Sequence, residues 1–283
     1  MRRCRLTMFW IATVLCVSLY PATAVYAADQ PRTEDVAFKA KCDGTTQNYV
    51  VIYPTGFKPN ELHHLMIALH GHGSDRWQFA KGEFDEARAA RDVAAAHNML
   101  FVSPDYRKST SWMGPKAEAD LVQIIDELKA RFRIGKVIVS GASMGGSSSL
   151  SFAAMHPERT DGVVSMNGTA NHLEYENFQD AISESFGGTK AKIPGEYKKR
   201  SAEYWPERLT MPIGFAVGGK DTLVPCSSVV RLAGVLKKLQ PNVLLLARPE
   251  GGHNTMYADA KEIYEFVLDR AGIKRQGNVA TPK

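Results

Sequence analysis

The stretch Lys136–Gly146 reads Lys-Val-Ile-Val-Ser-Gly-Ala-Ser-Met-Gly-Gly and decides the fold. Its first half is an apolar run typical of a buried strand, and a helical pattern follows over residues 145–156. The Gly-x-Ser-x-Gly motif at the junction places Ser143 on a sharp turn, where its hydroxyl stands clear of the sheet. The small flanking residues allow neighbouring backbones to approach, and the helix N-terminus offers free N–H groups to a developing oxyanion.

The pentapeptide alone is a weak signal, because chance produces it in one of about ten chains of this length. The alternative interpretation is a glycine-rich turn that carries a passive serine. The strand before Ser143 and the helix after it supply the structural context that the motif requires.

Short apolar runs alternate with helical patterns along the rest of the chain. Buried strands are predicted over residues 49–53, 65–69, 100–102, 137–139, 163–166, 213–217 and 243–246. Helices are predicted over residues 84–97, 116–132, 145–156, 227–239 and 256–271. This alternation predicts an α/β fold with a mostly parallel central sheet and helices on both faces. Residues 36–53 contain strands without a helix between them, which predicts an antiparallel edge.

Residues 28–283 are predicted to form a single domain. A chain that is 44% hydrophobic and 23% charged has the composition of a globular protein, which excludes the disordered class. No internal repeat and no linker rich in glycine and serine divides it. The polar, irregular segment 170–208 is either a small cap over the site or an ordinary connection of helix and loops.

A serine hydroxyl is a poor nucleophile without a base beside it, and in this type of site the acid and the histidine follow the serine along the chain. Asp221 comes after the predicted strand 213–217, and His253 comes after the predicted strand 243–246 in a Gly-Gly-His-Asn loop. Parallel strands place their carboxyl ends on one rim of the sheet. We therefore predict that Ser143, Asp221 and His253 form a catalytic triad.

The remaining histidines and aspartates have weaker claims to this chemistry. Asp221 is preferred to the other candidate acids, Asp105, Asp161 and Asp259, because it both follows a strand and precedes His253. Five histidines have no chemical context and are expected at the surface or at helix ends: His63, His64, His97, His156 and His172.

A His-Gly-His-Gly sequence at residues 70–73 directly follows the predicted strand 65–69. Hydrolases with this type of serine turn place an oxyanion-hole amide in the corresponding early loop. We predict that the backbone amides of His72 and Met144 are the two oxyanion donors. The alternatives are a plain turn and a metal-binding fragment, but two histidines without a carboxylate partner are weak evidence for a metal site.

Residues 1–27 have the order of a secretory signal peptide. Three arginines precede an apolar run that starts at Leu6, and Val25-Tyr26-Ala27 supplies a small-x-small cleavage site. The alternative is a membrane anchor, for which the run is short. The protein is expected to be secreted or periplasmic, with no membrane association after cleavage. Cleavage lowers the net charge from +5 to +2, so the basic composition gives no reason to expect nucleic acid as a partner.

Two cysteines, Cys42 and Cys226, remain after cleavage. An oxidising compartment permits a disulfide between them, and a pair of free thiols is the alternative. No cysteine and histidine cluster has zinc spacing, so neither a metal nor another cofactor is predicted.

The chain resembles α/β-hydrolases of the esterase and prolyl-oligopeptidase-like group. The resemblance is carried, in the order of the family, by LHGHGSD (69–75), PDYRKSTSW (104–112), VSGASMGG (139–146), GGKDTLVP (218–225) and GGHNT (251–255). The chain looks most similar to single-domain carbohydrate esterases of the feruloyl and acetyl-xylan esterase type. The resemblance implies the α/β-hydrolase fold, a triad of Ser143, Asp221 and His253, and oxyanion donors at His72 and Met144.

Two departures from the prolyl-oligopeptidase relatives bear on the substrate. Those relatives carry an R-G-S-x-G-Y type stretch where this chain has PDYRKSTSW, and they usually have a large N-terminal propeller, for which this chain has no room. The expected function is that of a secreted serine esterase, acting on small-molecule esters or on acyl or feruloyl groups of a polysaccharide. The alternatives are a serine peptidase of the prolyl-oligopeptidase-like type and an inactive hydrolase-fold binding protein.

Several loop residues are candidates for lining a substrate pocket. Tryptophan and tyrosine faces suit sugars or aromatic acyl groups. Side chains of this kind often only pack, and packing is the preferred interpretation for Arg76, Trp77, Tyr106, Trp112 and Tyr175.

Overall fold

A computed structural model describes residues 31–275 of the chain. No helix in this range is both long enough and apolar enough to cross a membrane. The predicted signal peptide, residues 1–27, lies outside the described residues.

Eight strands form one sheet in the order β1-β2-β4-β3-β5-β6-β7-β8. Their bounds are β1 Thr33–Lys39, β2 Thr46–Ile52, β3 His63–Leu69, β4 Leu100–Pro104, β5 Ile134–Ala142, β6 Gly162–Met166, β7 Ile213–Gly218 and β8 Val243–Arg248. β1 and β2 pair antiparallel with each other, and β2 pairs antiparallel with β4. The other neighbours pair parallel. The predicted mostly parallel sheet with an antiparallel edge is confirmed.

The helices are α1 Trp77–Lys81, α2 Asp85–Ala96, α3 Pro115–Arg131, α4 Met144–Met155, α5 Gln179–Phe186, α6 Pro194–Lys199, α7 Ser227–Leu239 and α8 Tyr257–Arg270. The five predicted helices are α2, α3, α4, α7 and α8, and each end agrees to within one residue. α1 was not predicted, and for α5 and α6 the sequence offered only a connection of helix and loops, without bounds, as one of two alternatives for residues 170–208. These three helices have only five to eight residues, a length at which tertiary packing rather than local pattern stabilises a helix.

Side chains alternate between the two faces of the sheet, and helices cover both faces. On β3, Leu65 and Ile67 enter the core under α3, whereas Met66 and Ala68 enter the core under α2 and α8. Because both faces are buried, the strands appear in the sequence as unbroken apolar runs.

The segment 170–208 connects β6 to β7 and contains α5, α6 and two short 3-10 turns. The fully buried guanidinium of Arg200 donates to Glu118 of α3 at 2.7 Å, which fixes the end of α6 against the main domain. The Phe178 ring lies 4.4 Å from the ring of His72, so the segment also contacts the loop that follows β3.

The expectation of surface or helix-end positions is wrong for two histidines. His63 begins β3 and is 2% exposed, and His172 lies in the loop after β6 and is fully buried. His172 Nε2 lies 3.2 Å from Ser151 Oγ, and burial lowers the pKa of His172 to about 3. A hydrogen-bond partner from a distant element makes such burial possible. The local sequence around a histidine does not indicate whether such a partner exists.

Of the alternatives left open for the cysteines, the structure has free thiols. Cys42 is exposed and Cys226 is half-buried, and neither is in a disulfide.

Candidate active site

Ser143 occupies the turn between β5 and α4 with φ 58° and ψ −121°. This backbone conformation is strained for a residue other than glycine, and the surrounding structure must hold it. The Ser143 amide donates to the Met166 carbonyl on β6 at 2.8 Å. A Cβ atom at Gly145 would overlap the Leu69 carbonyl oxygen, so the glycine of the motif is required for helix α4 to approach β3.

The structure brings the three predicted triad residues together. His253 Nε2 lies 2.8 Å from Ser143 Oγ, and His253 Nδ1 lies 2.6 Å from Asp221 Oδ2. An ionised carboxylate can only accept hydrogen bonds, so His253 Nδ1 must carry the proton that is donated to Asp221. His253 Nε2 is then unprotonated and accepts the hydrogen bond from the Ser143 hydroxyl. The arrangement can therefore move a proton from Ser143 to His253.

Asp221 is held from its other side by the backbone. Its Oδ1 accepts from the amides of Leu223 at 3.0 Å and Val224 at 2.9 Å, and the residue is only 6% exposed. The carboxylate thus has partners on both oxygens, and its orientation towards His253 is fixed.

His253 lies in an irregular loop between β8 and α8, and the contacts that hold this loop come from distant elements. The Lys220 amide donates to the Gly251 carbonyl at 2.8 Å. The Thr255 amide donates to Glu86 Oε1 at 2.6 Å, and Thr255 Oγ1 accepts from Asn167 Nδ2 at 3.1 Å.

Of the two predicted oxyanion donors, His72 lines the same cleft as Ser143 and His253, and Met144 directly follows Ser143. Gly71 donates its amide to Gln78 Oε1 at 2.6 Å and Gly73 donates to the Ser109 carbonyl at 2.7 Å, so both neighbours of His72 are engaged. Across residues 31–275, no protein acceptor takes the His72 amide or the Met144 amide. Met144 is the first residue of α4, where an amide has no partner within its own helix.

The His72 side chain has a defined tautomer. Its Nδ1 accepts from Trp112 Nε1 at 3.0 Å, so the proton of the neutral ring is on Nε2. Burial lowers the pKa of His72, which favours this neutral form. Trp112 and its neighbour Met113 both have positive φ, 44° and 58°, and both are fully buried, so the packing around them must hold this strained backbone.

His70 has a structural role that contrasts with that of His72. The fully buried ring places Nδ1 2.8 Å from the Gly71 carbonyl and Nε2 3.2 Å from the Asp105 carbonyl, which ties the loops after β3 and β4 together. Burial lowers the pKa of His70. Within the described part of the chain, no three histidine, cysteine or acidic side chains form a group that could hold a metal ion.

A cleft of about 380 Å³ contains Ser143, His253 and three polar residues that were not predicted from the sequence, Gln78, Glu86 and Asn167. Burial raises the pKa of Glu86. Asn167 directly follows β6. Its position at the carboxyl end of a strand is a sequence signal that could have identified it as a candidate site residue. Glu86 has the pattern of an ordinary acidic residue in the first turn of a helix, and Gln78 has no distinctive pattern.

The five loop residues considered for a pocket do not line this cleft. Tyr106, Trp112 and Tyr175 are buried, in agreement with the packing interpretation. Arg76 forms ion pairs with Asp35 at 2.8 Å and with Asp105 at 3.0 Å. Trp77 lies in α1 beneath the ammonium of Lys81.

The family model described as the prolyl oligopeptidase family matches residues 105–272. The matched range contains Ser143, Asp221 and His253, whereas His72 precedes it. The match covers more than half of the chain.

Solved structures share the fold at low sequence identity. One is described as a dipeptidyl aminopeptidase IV from Bacteroides ovatus, with 17% identity, a TM-score of 0.68, and coverage of 86% of this chain but only 36% of that protein. A fluorophosphonate-binding serine hydrolase of Staphylococcus aureus has 16% identity and a TM-score of 0.66, and the match covers 84% of this chain and 98% of that protein. An S-formylglutathione hydrolase of the same organism has 16% identity and a TM-score of 0.64, and the match covers 84% of this chain and 100% of that protein. These likenesses confirm the α/β-hydrolase fold.

Proposed function

Because this chain belongs to the prolyl oligopeptidase family and is a serine hydrolase of the α/β-hydrolase fold, we propose that it cleaves carboxylic esters through an acyl-enzyme on Ser143. The observation that carries the proposal is the continuous hydrogen-bonded path from Ser143 Oγ through His253 to Asp221, with separations of 2.8 and 2.6 Å. A serine activated in this way is the nucleophile of acyl-transfer enzymes.

In the first half of the reaction, Ser143 Oγ attacks the ester carbonyl carbon and His253 Nε2 takes the hydroxyl proton. The carbonyl oxygen becomes an oxyanion, which accepts hydrogen bonds from the His72 and Met144 amides. Asp221 orients the ring and stabilises the imidazolium. His253 then returns its proton to the leaving alcohol as the carbon–oxygen bond breaks, and the acyl group stays on Ser143.

In the second half, His253 takes a proton from a water molecule that attacks the acyl-enzyme. Collapse of the second tetrahedral intermediate releases the carboxylic acid, and the proton returns to Ser143 Oγ. The side chains end in the state in which they began, so this scheme requires no cofactor.

We propose acyl or feruloyl groups on carbohydrate as the substrate class. The motif resemblance to single-domain carbohydrate esterases supports this choice. The two Staphylococcus aureus proteins, which this chain matches over nearly their whole length, are described as hydrolases rather than peptidases. A peptidase activity is the second candidate, because the family itself and the Bacteroides ovatus protein are described in terms of peptide cleavage.

The test compares the purified protein with Ser143→Ala on p-nitrophenyl acetate, p-nitrophenyl butyrate, methyl ferulate, acetylated xylan and a prolyl-anilide. Ser227→Ala, an exposed serine at the start of α7, is the matched control. We expect Ser143→Ala to lower kcat by about 10⁴-fold or more and to abolish labelling by a fluorophosphonate probe. Ester cleavage that survives the substitution contradicts the role of Ser143.

Preferential cleavage of the prolyl-anilide would select the peptidase. A protein that neither reacts with the probe nor cleaves any of these substrates would be a hydrolase-fold binding protein.

We also propose that residues 1–27 are removed and that the protein is secreted or periplasmic. The arginines, the apolar run and the small-x-small site before Ala28 support this proposal. N-terminal sequencing of the protein from the periplasmic or extracellular fraction should begin at Ala28. An intact N-terminus on protein confined to the cytoplasm would contradict it.

A further inference from the structure

Two acidic side chains at the start of α2 hold the loop that carries His253. Glu86 Oε1 accepts from the Thr255 amide at 2.6 Å, and Asp85 Oδ2 accepts from the Tyr257 amide at 3.0 Å. These residues are separated by about 170 positions in the sequence, and the contacts join the first turn of α2 to the segment immediately after His253.

The two carboxylates differ in their surroundings. The Asp85 side chain is 45% exposed and pairs with Arg88, whereas Glu86 is 8% exposed and lines the cleft together with Ser143 and His253. Glu86 and His253 therefore share a cleft that is partly shielded from water, where charge interactions are stronger than at the surface.

This position matters for the reaction because His253 becomes positively charged when it takes the proton of Ser143. Asp221 occupies the Nδ1 side of the ring. We propose that Glu86 is a positioning residue for His253: it holds the base loop through the Thr255 amide, and its charge favours the imidazolium that forms during acyl transfer. This inference rests on the proposed function and adds to it a second acidic group.

Two cationic groups of the elements around this loop are paired with other carboxylates. Arg248 pairs with Asp259 of α8, and Lys220 pairs with Glu250. Burial raises the pKa of Glu86, and the charge of its neighbour Asp85 on α2 raises it further. The charge of His253 lowers the pKa of Glu86. The phenol of Tyr264 on α8 is buried near Glu86, and burial raises the pKa of that phenol.

The sign of the pH effect follows from charge. Removing a negative charge beside His253 makes its protonated form less favourable, so protonation requires a lower pH. The neutral ring is the form that accepts the serine proton. Without the charge of Glu86, the acidic limb of the kcat/KM profile should therefore move to lower pH, while the maximum kcat should fall.

The experiment compares Glu86→Gln with the wild type, and Glu83→Gln, at an 81% exposed glutamate just before α2, is the matched control. Glutamine keeps an oxygen that can accept from Thr255 and removes only the charge. For Glu86→Gln on p-nitrophenyl acetate, we expect kcat to fall about tenfold with KM unchanged, and the acidic limb to move about half a pH unit lower. Glu83→Gln should leave both kcat and the acidic limb as in the wild type.

A second readout does not depend on turnover. The NMR signal of the His253 ring, followed through a pH titration, should move its midpoint to lower pH in Glu86→Gln. A midpoint and a kcat equal to those of the wild type would overturn the inference. So would a change in KM alone, since that result would make Glu86 a substrate-binding group.

The two readouts also separate this inference from the proposed function. A wild-type protein without Ser143-dependent ester cleavage would count against the proposed function alone. The NMR titration would still decide whether Glu86 acts on His253.

Discussion

The Ser143 turn and the His253 loop each hold one side chain of the site, but they do so by different means. Ser143 is positioned by a short motif, the glycines between the end of β5 and the start of α4, and this motif packs on Leu69 of β3 and Met166 of β6. His253 is held by side chains that are 32 to 169 positions away from their partners in the loop. The turn at the nucleophile is therefore encoded in a local motif that tertiary contacts then support, whereas the base lies in a loop without such a motif and depends on tertiary contacts.

Burial follows the same division. Every residue from Met144 to Ala154 of α4 is buried, so the helix behind Ser143 is part of the core. The loop at residues 251–254 is partly or fully exposed and has no regular structure. A change at the serine turn should therefore affect both stability and activity, whereas a change at the histidine loop should mainly affect activity.

The largest expected effect is that of Gly145→Ala, which tests the serine side of this comparison. The added methyl group would overlap the Leu69 carbonyl oxygen, and backbone rather than a flexible side chain would have to move. We expect the free energy of unfolding to fall by about 3 kcal/mol or more and esterase activity to be lost. Chemical denaturation and p-nitrophenyl acetate hydrolysis measure the two effects.

Gly234→Ala is the control for that change. Gly234 lies inside α7, and no atom lies within 4 Å of the position that its Cβ would occupy. This substitution should stabilise the protein by about 0.5–1 kcal/mol, since alanine is the better helix former. Equal stability of the two variants would show that the close approach at Gly145 does not constrain the turn.

Thr255→Val is the smaller change and tests the histidine side. It removes the hydroxyl that accepts from the Asn167 amide at 3.1 Å and keeps the shape of the side chain. Because the loop loses one anchor while the core is unchanged, we expect kcat to fall about threefold to tenfold. The free energy of unfolding should fall by only about 1 kcal/mol.

Thr222→Val, an exposed threonine in the neighbouring loop, is the control and should leave kcat unchanged. A loss of stability from Thr255→Val as large as that from Gly145→Ala would break the distinction between the two regions. The effect of Glu86→Gln on kcat should lie between those of Gly145→Ala and Thr255→Val.

The helix and strand positions could be predicted because burial determines the sequence pattern. Strands buried on both faces require apolar runs, and helices buried on one face show helical periodicity. The long helices α2, α3, α4, α7 and α8 each bury a face over three or more turns, which makes the pattern readable. The short helices α1, α5 and α6 have too few residues to show a period.

The candidate site divides in the same way. Ser143, Asp221 and His253 could be proposed from sequence because each follows a strand whose carboxyl end lies on the common rim. Glu86 could not be identified in this way, and the position of Asn167 after β6 did not indicate which loop it contacts. Their significance depends on the loop they contact, and those contacts span 169 and 88 positions.

The sequence by itself determined the sheet of strands and its covering helices, the strained serine turn, and the chain order of the acid and the base. Only the tertiary structure decided that His63 and His172 are buried, that the cysteines are free, and that Glu86 contacts the loop of the base. The physical reason is range. Apolar periodicity and the glycines of a turn motif can be recognised over a few consecutive residues, whereas the burial of these polar groups depends on hydrogen-bond partners that folding brings from distant parts of the chain.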